Sequence, residues 1–179
     1  MPSRSAQGIR ALPRLLTPDL VVPGTLVDLS LERLQDRPIR ALILDVDRTL
    51  LPRHRSDLPS SADAWLRRAR ERMPLHLLSN NPSRRRIGSV AEQLGLPFTT
   101  SAGKPRRTAL RKVLTTLGLP HQEVALIGDR LFTDVLAGNR LGLYTVLVRP
   151  IDPEGRPCRQ DHLQRLEINL ARWMGTPLA

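Results

Sequence analysis

From Ile39 onward the chain alternates two hydrophobic rhythms. Short apolar runs give way to stretches of helical length in which apolar residues recur every three or four positions. Continuous apolar runs suit strands covered on both faces. Their alternation with amphipathic helices predicts an α/β fold built on a parallel sheet. The expected strands are 39–44, 75–78, 98–99, 124–127 and 144–148, with helices over 61–72, 83–94, 106–117, 131–141 and 161–174. Ser60 is the expected N-cap of the first helix, with Asp63 in its first turn, and Gly95 and Gly118 fall where helices should stop.

Residues 1–38 follow neither rhythm. Pro2, Pro13, Pro18, Pro23 and Pro38 punctuate them, and they read as an irregular arm packed on or flanking the core, with a short helix or turn near 30–35. Residues 39–179 then form one domain that closes on an amphipathic helix.

Polar clusters sit where three strands should end. Asp45-Val46-Asp47-Arg48-Thr49 follows the first strand, Ser79-Asn80-Asn81 the second, and Gly128-Asp129, with Asp134 five residues on, the strand at 124–127. In a parallel sheet, ligands bind beyond the carboxyl ends of strands, so clusters distant in sequence can converge. An Asp at the end of a buried strand is costly unless its charge is used, and a second Asp two residues on repels it. A divalent cation with a phosphate explains both carboxylates economically.

Composition narrows the partners. The net charge is +11, with 28 Lys and Arg against 17 Asp and Glu, and Lys104 and Lys112 are the only lysines. An arginine-rich surface favours anionic partners, although codon composition favouring Arg accounts equally well for the excess. Aromatics are only 3%, too few for a base-stacking platform, so nucleic acid is an unlikely partner. The lone Cys158 permits neither an intramolecular disulfide nor a cysteine metal cage, and the four histidines share no ligand spacing. Residues 1–8 lack the apolar centre of a signal peptide, and no run reaches the ~20 residues of a transmembrane helix. The expectation is a cytoplasmic protein that rests at most on a membrane surface.

The ordered set of Asp45-Val46-Asp47-Arg48-Thr49, Ser79-Asn80, Lys104 and Gly128-Asp129 with Asp134 resembles the four motifs of the haloacid-dehalogenase phosphohydrolases. Within that superfamily it is most similar to the YqeG-like IIIA branch, related to phosphatidylglycerophosphate phosphatases. The likeness is carried by Leu78 to Arg85, Gly95 to Phe98, Gly103-Lys104-Pro105 and Ile127 to Arg140, within a stretch from about Leu15 to about Pro150. Arg48 departs from the pattern, because many superfamily members have Gly there and this branch often has Asn.

The resemblance implies a Rossmann-like three-layer domain with no large cap, and a Mg²⁺-dependent phosphomonoesterase acting through an aspartyl-phosphate. Asp45 would be the nucleophile and Asp47 the general acid and base. Mg²⁺ would be held by Asp45, the backbone carbonyl of Asp47 and Asp129, with Asp134 supporting that shell or pairing with Lys104. Thr49, Ser79, Asn80 and Lys104 would serve the phosphoryl group. Asn139-Arg140 reads as a helix end and Cys158 as incidental.

About thirty residues separate Asp47 from Ser79, room for a loop, a helix and a strand but not a lid. Arg48, Arg53 and the run Arg84-Arg85-Arg86 should then rim an open mouth and suit a substrate rich in phosphate; a solvated helix face is the plainer account of the run. In the last helix, Leu163, Leu166, Leu170, Trp173 and Met174 form a stripe expected to pack on the domain, or else to lie on anionic lipid. Leu12, Leu15 and Leu16 beside Arg10 and Arg14 give the same hint near the other end. Phosphatidylglycerophosphate is the expected substrate, presented at an anionic membrane surface. The alternatives are a soluble sugar phosphate or nucleotide, and a basic nucleic-acid or ribosome-associated factor.

Overall fold

The computed structural model describes residues 12–53, 55–159 and 161–178. Six strands, β1 (Leu20–Val21), β2 (Ala41–Leu44), β3 (Leu75–Leu78), β4 (Phe98–Thr99), β5 (Val124–Gly128) and β6 (Tyr144–Leu147), form a sheet in the order β1-β6-β5-β2-β3-β4. Every pairing is parallel. The helices include α1 (Leu31–Gln35), α2 (Ser60–Arg72), α3 (Arg84–Leu94), α4 (Thr108–Leu117), α5 (Leu136–Asn139) and α6 (His162–Trp173). The sheet is therefore the α/β Rossmann-like architecture expected, and the described residues between Leu51 and Ser60 contain no helix or strand that could form a cap.

Period-two alternation splits the strand residues between two cores. Leu42, Leu44, Leu77, Ala125 and Ile127 face the layer containing Trp65, Leu66, Ile87 and Leu94 from α2 and α3. Ala41, Ile43, Leu78, Val124 and Leu126 face Leu110, Val113 and Leu114 of α4. Covering on both faces is why these strands read as unbroken apolar runs. Gly95 and Gly118 end α3 and α4 in the left-handed region, at φ 61° and 63°, where a Cβ is strained.

Some boundaries differ from expectation. Residues 20–21 belong to the presumed irregular arm yet form the sheet's edge strand, pairing with β6. Pro18 and Pro23 on either side make the pair read as irregular chain; pairing with β6 makes it a strand. The arm is latched further by Asn139, whose Nδ2 donates to the carbonyls of Leu15 and Thr17, and by Asp19, which accepts from Thr145. Asn139-Arg140 thus serves as a structural helix end, as expected. Pro59, not Ser60, occupies the cap position of α2 and makes no side-chain cap bond. The helix at 106–117 opens only at Thr108, after a turn containing Pro105. The helix at 131–141 begins as a π turn over Leu131–Val135 before continuing as α5.

Candidate active site

The sheet order reverses at β2. The chain passes from β2 to β3 and β4 on one side, then crosses to β5 and β6 on the other. The crevice at the carboxyl end of β2 is thus the topological switch point, where an open parallel sheet binds its ligand. Asp45 leaves β2 there, and its amide extends the ladder to the Ile127 carbonyl at 2.9 Å.

Lys104 binds the polar clusters together. Its ammonium lies 2.6 Å from Asp45 Oδ1 and 2.6 Å from Asp134 Oδ1, and donates to the Leu78 carbonyl at 3.0 Å. Asn80 holds that lysine's loop in place, accepting from the Lys104 amide at 2.7 Å and donating to its carbonyl at 3.0 Å. The Asn80 side chain therefore positions Lys104 and is not free for a phosphate. Thr49, fully buried, donates to the other oxygen of Asp45 at 3.1 Å, so its hydroxyl also orients the carboxylate.

Asp45, Asp129 and Asp134 each place a carboxylate oxygen within 4.8 Å of the others, and all three are buried. The π turn brings Asp134 inward: the amides of Asp134 and Val135 both reach the Arg130 carbonyl, and Asp134 Oδ2 accepts from the Arg130 amide. Gly128 makes this possible, because a Cβ there would stand 2.3 Å from Asp134 Oδ2. Burial pushes the Asp45 carboxyl up to about 6, against the opposing pull of Lys104. Burial, with Asp45 and Asp134 adding to it, lifts Asp129 well above the usual carboxylate range. For Lys104 burial pulls downward, but the two carboxylates outweigh it and hold the ammonium protonated.

These residues fit a divalent cation. Three buried carboxyl groups gather around one ammonium, and the buried Asp129 Oδ2 has no hydrogen-bond partner among the described residues. Oxygen donors of this kind suit Mg²⁺. Asp47 contributes no carboxylate to the cluster. Its side chain faces the mouth, accepting from Ser79 Oγ at 2.8 Å and pairing with the Arg86 guanidinium.

Arg48 has φ 68°, in the left-handed region that Gly and Asn adopt at lower cost than Arg. Here the guanidinium turns to Asp161 instead, with contacts at 2.5 and 3.4 Å, and Asp161 also caps α6. Of the other rim candidates, Arg53 and Arg85 are exposed, and Arg84 stacks on the Phe98 ring at 5.4 Å. Arg86 is the member of that run that reaches the site.

Sequence reasoning missed the role of α6. Gln164, buried, donates to the carbonyls of Asp129 at 2.7 Å and Val148 at 2.8 Å. Glu167 accepts from the Leu131 amide and the Arg130 guanidinium. Asp161, Gln164 and Glu167 recur every three residues, a polar stripe that was a readable signal. Of the apolar stripe expected to pack inward, Leu163, Leu166, Leu170 and Trp173 are exposed, whereas Met174 packs inward with Ile168 and Ala171 against Leu16, Leu131 and Val135.

A switch-point crevice with a carboxylate cluster, a buried lysine and a strand-end Asp-x-Asp is the site of a haloacid-dehalogenase-like hydrolase. A family model described as HAD-hydrolase-like matches residues 101–150. A probable phosphatase, YqeG, of Bacillus subtilis is 33% identical over 141 residues, covering 78% of this chain and 81% of that protein. A mitochondrial phosphatidylglycerophosphatase of Saccharomyces cerevisiae is 29% identical over 178 residues, covering 91% of each chain. An uncharacterized protein from Listeria monocytogenes serotype 4b has the same fold, with TM-score 0.53, 21% identity, and 70% and 84% coverage. The chain belongs to the YqeG-like phosphatases of this superfamily.

Proposed function

We propose that the enzyme hydrolyses phosphatidylglycerophosphate to phosphatidylglycerol and inorganic phosphate, with Mg²⁺ as cofactor and Asp45 as nucleophile. The observation that carries the chemistry is the fixing of Asp45: Lys104 holds one oxygen at 2.6 Å and Thr49 the other at 3.1 Å, beside two further buried carboxylates. The likeness to a phosphatidylglycerophosphatase, 29% identical over 91% of both chains, supports this substrate.

In the first step an Asp45 oxygen attacks phosphorus, the bond to the leaving glycerol oxygen breaks, and Asp47 gives that oxygen its proton. In the second, Asp47 takes a proton from water, water oxygen attacks phosphorus, and the Asp45–phosphorus bond breaks. Asp47 sits at the mouth rather than in the carboxylate cluster, which suits a group that meets both leaving alcohol and water. Ser79 Oγ, which donates to Asp47 at 2.8 Å, and the backbone around Asn80 are placed to turn toward phosphoryl oxygens. Lys104 would neutralise the charge that develops there. Mg²⁺, when held by Asp45, Asp129 and the Asp47 carbonyl, supplies charge neutralisation at the phosphoryl oxygens. Asp134 supports the arrangement through Lys104. The absence of a cap over the described mouth agrees with a lipid headgroup presented at a membrane surface.

The test offers phosphatidylglycerophosphate in mixed micelles, with Mg²⁺ or EDTA, to the enzyme and to Asp45→Asn. Phosphate release confined to the unaltered enzyme with Mg²⁺, and acid-stable trapping of label on Asp45, are the expected results. Release equal to that of Asp45→Asn sinks the substrate. A kcat/KM of roughly 10⁴ M⁻¹s⁻¹ or better on a soluble sugar phosphate or nucleotide, with none on the lipid, would assign the soluble alternative.

A further inference from the structure

Helix α6 has two faces with opposite chemistry. Its inner face, with Asp161, Gln164 and Glu167, is tied to Arg48, the Asp129 carbonyl and the start of the π turn. Its outer face carries Leu163, Leu166, Leu170 and Trp173 at helical spacing, 42%, 64%, 44% and 84% exposed. Among the described residues only Val21 joins them as an exposed large hydrophobic residue, so this is a concentrated strip and not scattered surface apolarity.

The charge around the strip selects its occupant. Arg159, Arg165 and Arg172 are exposed along or beside α6, whereas its acidic groups, Asp161 and Glu167, are buried and paired. Two copies of a +11 chain joined through this face would set arginine against arginine. Four side chains also supply only a few hundred Å², well below the ~800 Å² per partner of an ordinary stable interface. Leucine and tryptophan flanked by arginine instead match an acyl boundary overlaid by negative headgroups.

We infer that the outer face of α6 docks the enzyme on an anionic bilayer, laying the helix in the headgroup plane while its inner face holds the catalytic loops. This deepens the reading of the enzyme as a lipid phosphatase and rests on it only for the substrate. The first turn of α6 lies at the site mouth through the Asp161–Arg48 pair, so docking brings the mouth to the headgroups.

The experiment is flotation with phosphatidylcholine vesicles, with and without phosphatidylglycerol, read alongside tryptophan emission. Trp65 is already buried, 1% exposed, so a blue shift on adding vesicles reports Trp173. Expected are flotation and a blue shift with phosphatidylglycerol only, and a partition coefficient lowered roughly tenfold or more by the double variant Leu166→Gln/Trp173→Gln. That variant should keep its turnover of a soluble phosphomonoester and lose it selectively on vesicle-borne substrate. Asp45→Asn should bind vesicles normally while losing all turnover, which separates docking from catalysis. The inference is overturned by an unaltered enzyme that neither floats nor shifts, by undiminished flotation of the double variant, or by a dimer in sedimentation that the double variant dissociates.

Discussion

Replacing Lys104 with Met tests whether the buried carboxylates depend on one ammonium. The methionine keeps the volume of the aliphatic stem but leaves Asp45, Asp129 and Asp134 within 4.8 Å of one another with no cation among them. Lifting Asp45 from 3.8 to about 6 already costs about 3 kcal/mol near neutral pH with the lysine present. Removing one partner from a buried ion pair costs a further ~3–5 kcal/mol, a large part of an ordinary domain's ~5–15. The sign of the pH dependence follows from the raised carboxyls. The folded state binds their protons more tightly than the unfolded chain, so their contribution favours folding at low pH and is lost as pH rises through about 4 to 6. The lysine's own raised titration lies above that window. Urea unfolding in EDTA should therefore show the full loss at about pH 8 and a much smaller one at about pH 5, with millimolar Mg²⁺ restoring part of it at the higher pH. An equal loss at both pH values, untouched by Mg²⁺, would refute the idea that these groups share one electrostatic balance.

Gly128→Ala should push Asp134 from its place, since the new Cβ falls 2.3 Å from Oδ2; calorimetric titration is expected to show Mg²⁺ affinity down at least roughly tenfold. Gln164→Leu strips the Asp129 and Val148 carbonyls of a shared donor and should cost roughly 1–3 kcal/mol in urea unfolding, and a loss below ~0.5 would argue against the clamp. At Arg48, with φ 68°, Asn fits the left-handed backbone better than Ala, so Arg48→Asn should be more stable than Arg48→Ala by roughly 1 kcal/mol. Mg²⁺ binding should weaken as pH falls through about 6, because protons then compete with the metal for the Asp45 carboxylate; a flat profile between about pH 5 and 8 would contradict the raised carboxyl.

Much of this was legible in the chain because the sheet is covered on both faces. Apolar runs such as 41–44 and 124–127 announce buried parallel strands, and Asp45, Ser79 and Asp129 announce their ends. What stayed hidden depended on distant partners. Leu20–Val21 becomes a strand only because β6 lies beside it, and Asn80 is spent on a lysine 24 residues away. The outward turn of Leu163, Leu166, Leu170 and Trp173 contradicts the usual rule for an amphipathic helix. The helix instead turns inward the polar Asp161, Gln164 and Glu167, which bind the loops of the candidate site, together with Ile168, Ala171 and Met174, which pack on Leu16, Leu131 and Val135. Arg48, a departure from the resembling motif, finds its partner in Asp161, 113 positions away, which the sequence does not reveal.

The edge strand β1 has a consequence for the timing of assembly. Its neighbour is made late: Asp19 meets Thr145 across 126 positions of chain. On a ribosome adding about 5–20 residues per second, the early segment waits roughly 6 to 25 s for its partner. Until then Leu20 and Val21 have no strand to pair with, and the nascent polypeptide carries an open flank that a chaperone or a premature neighbour can occupy.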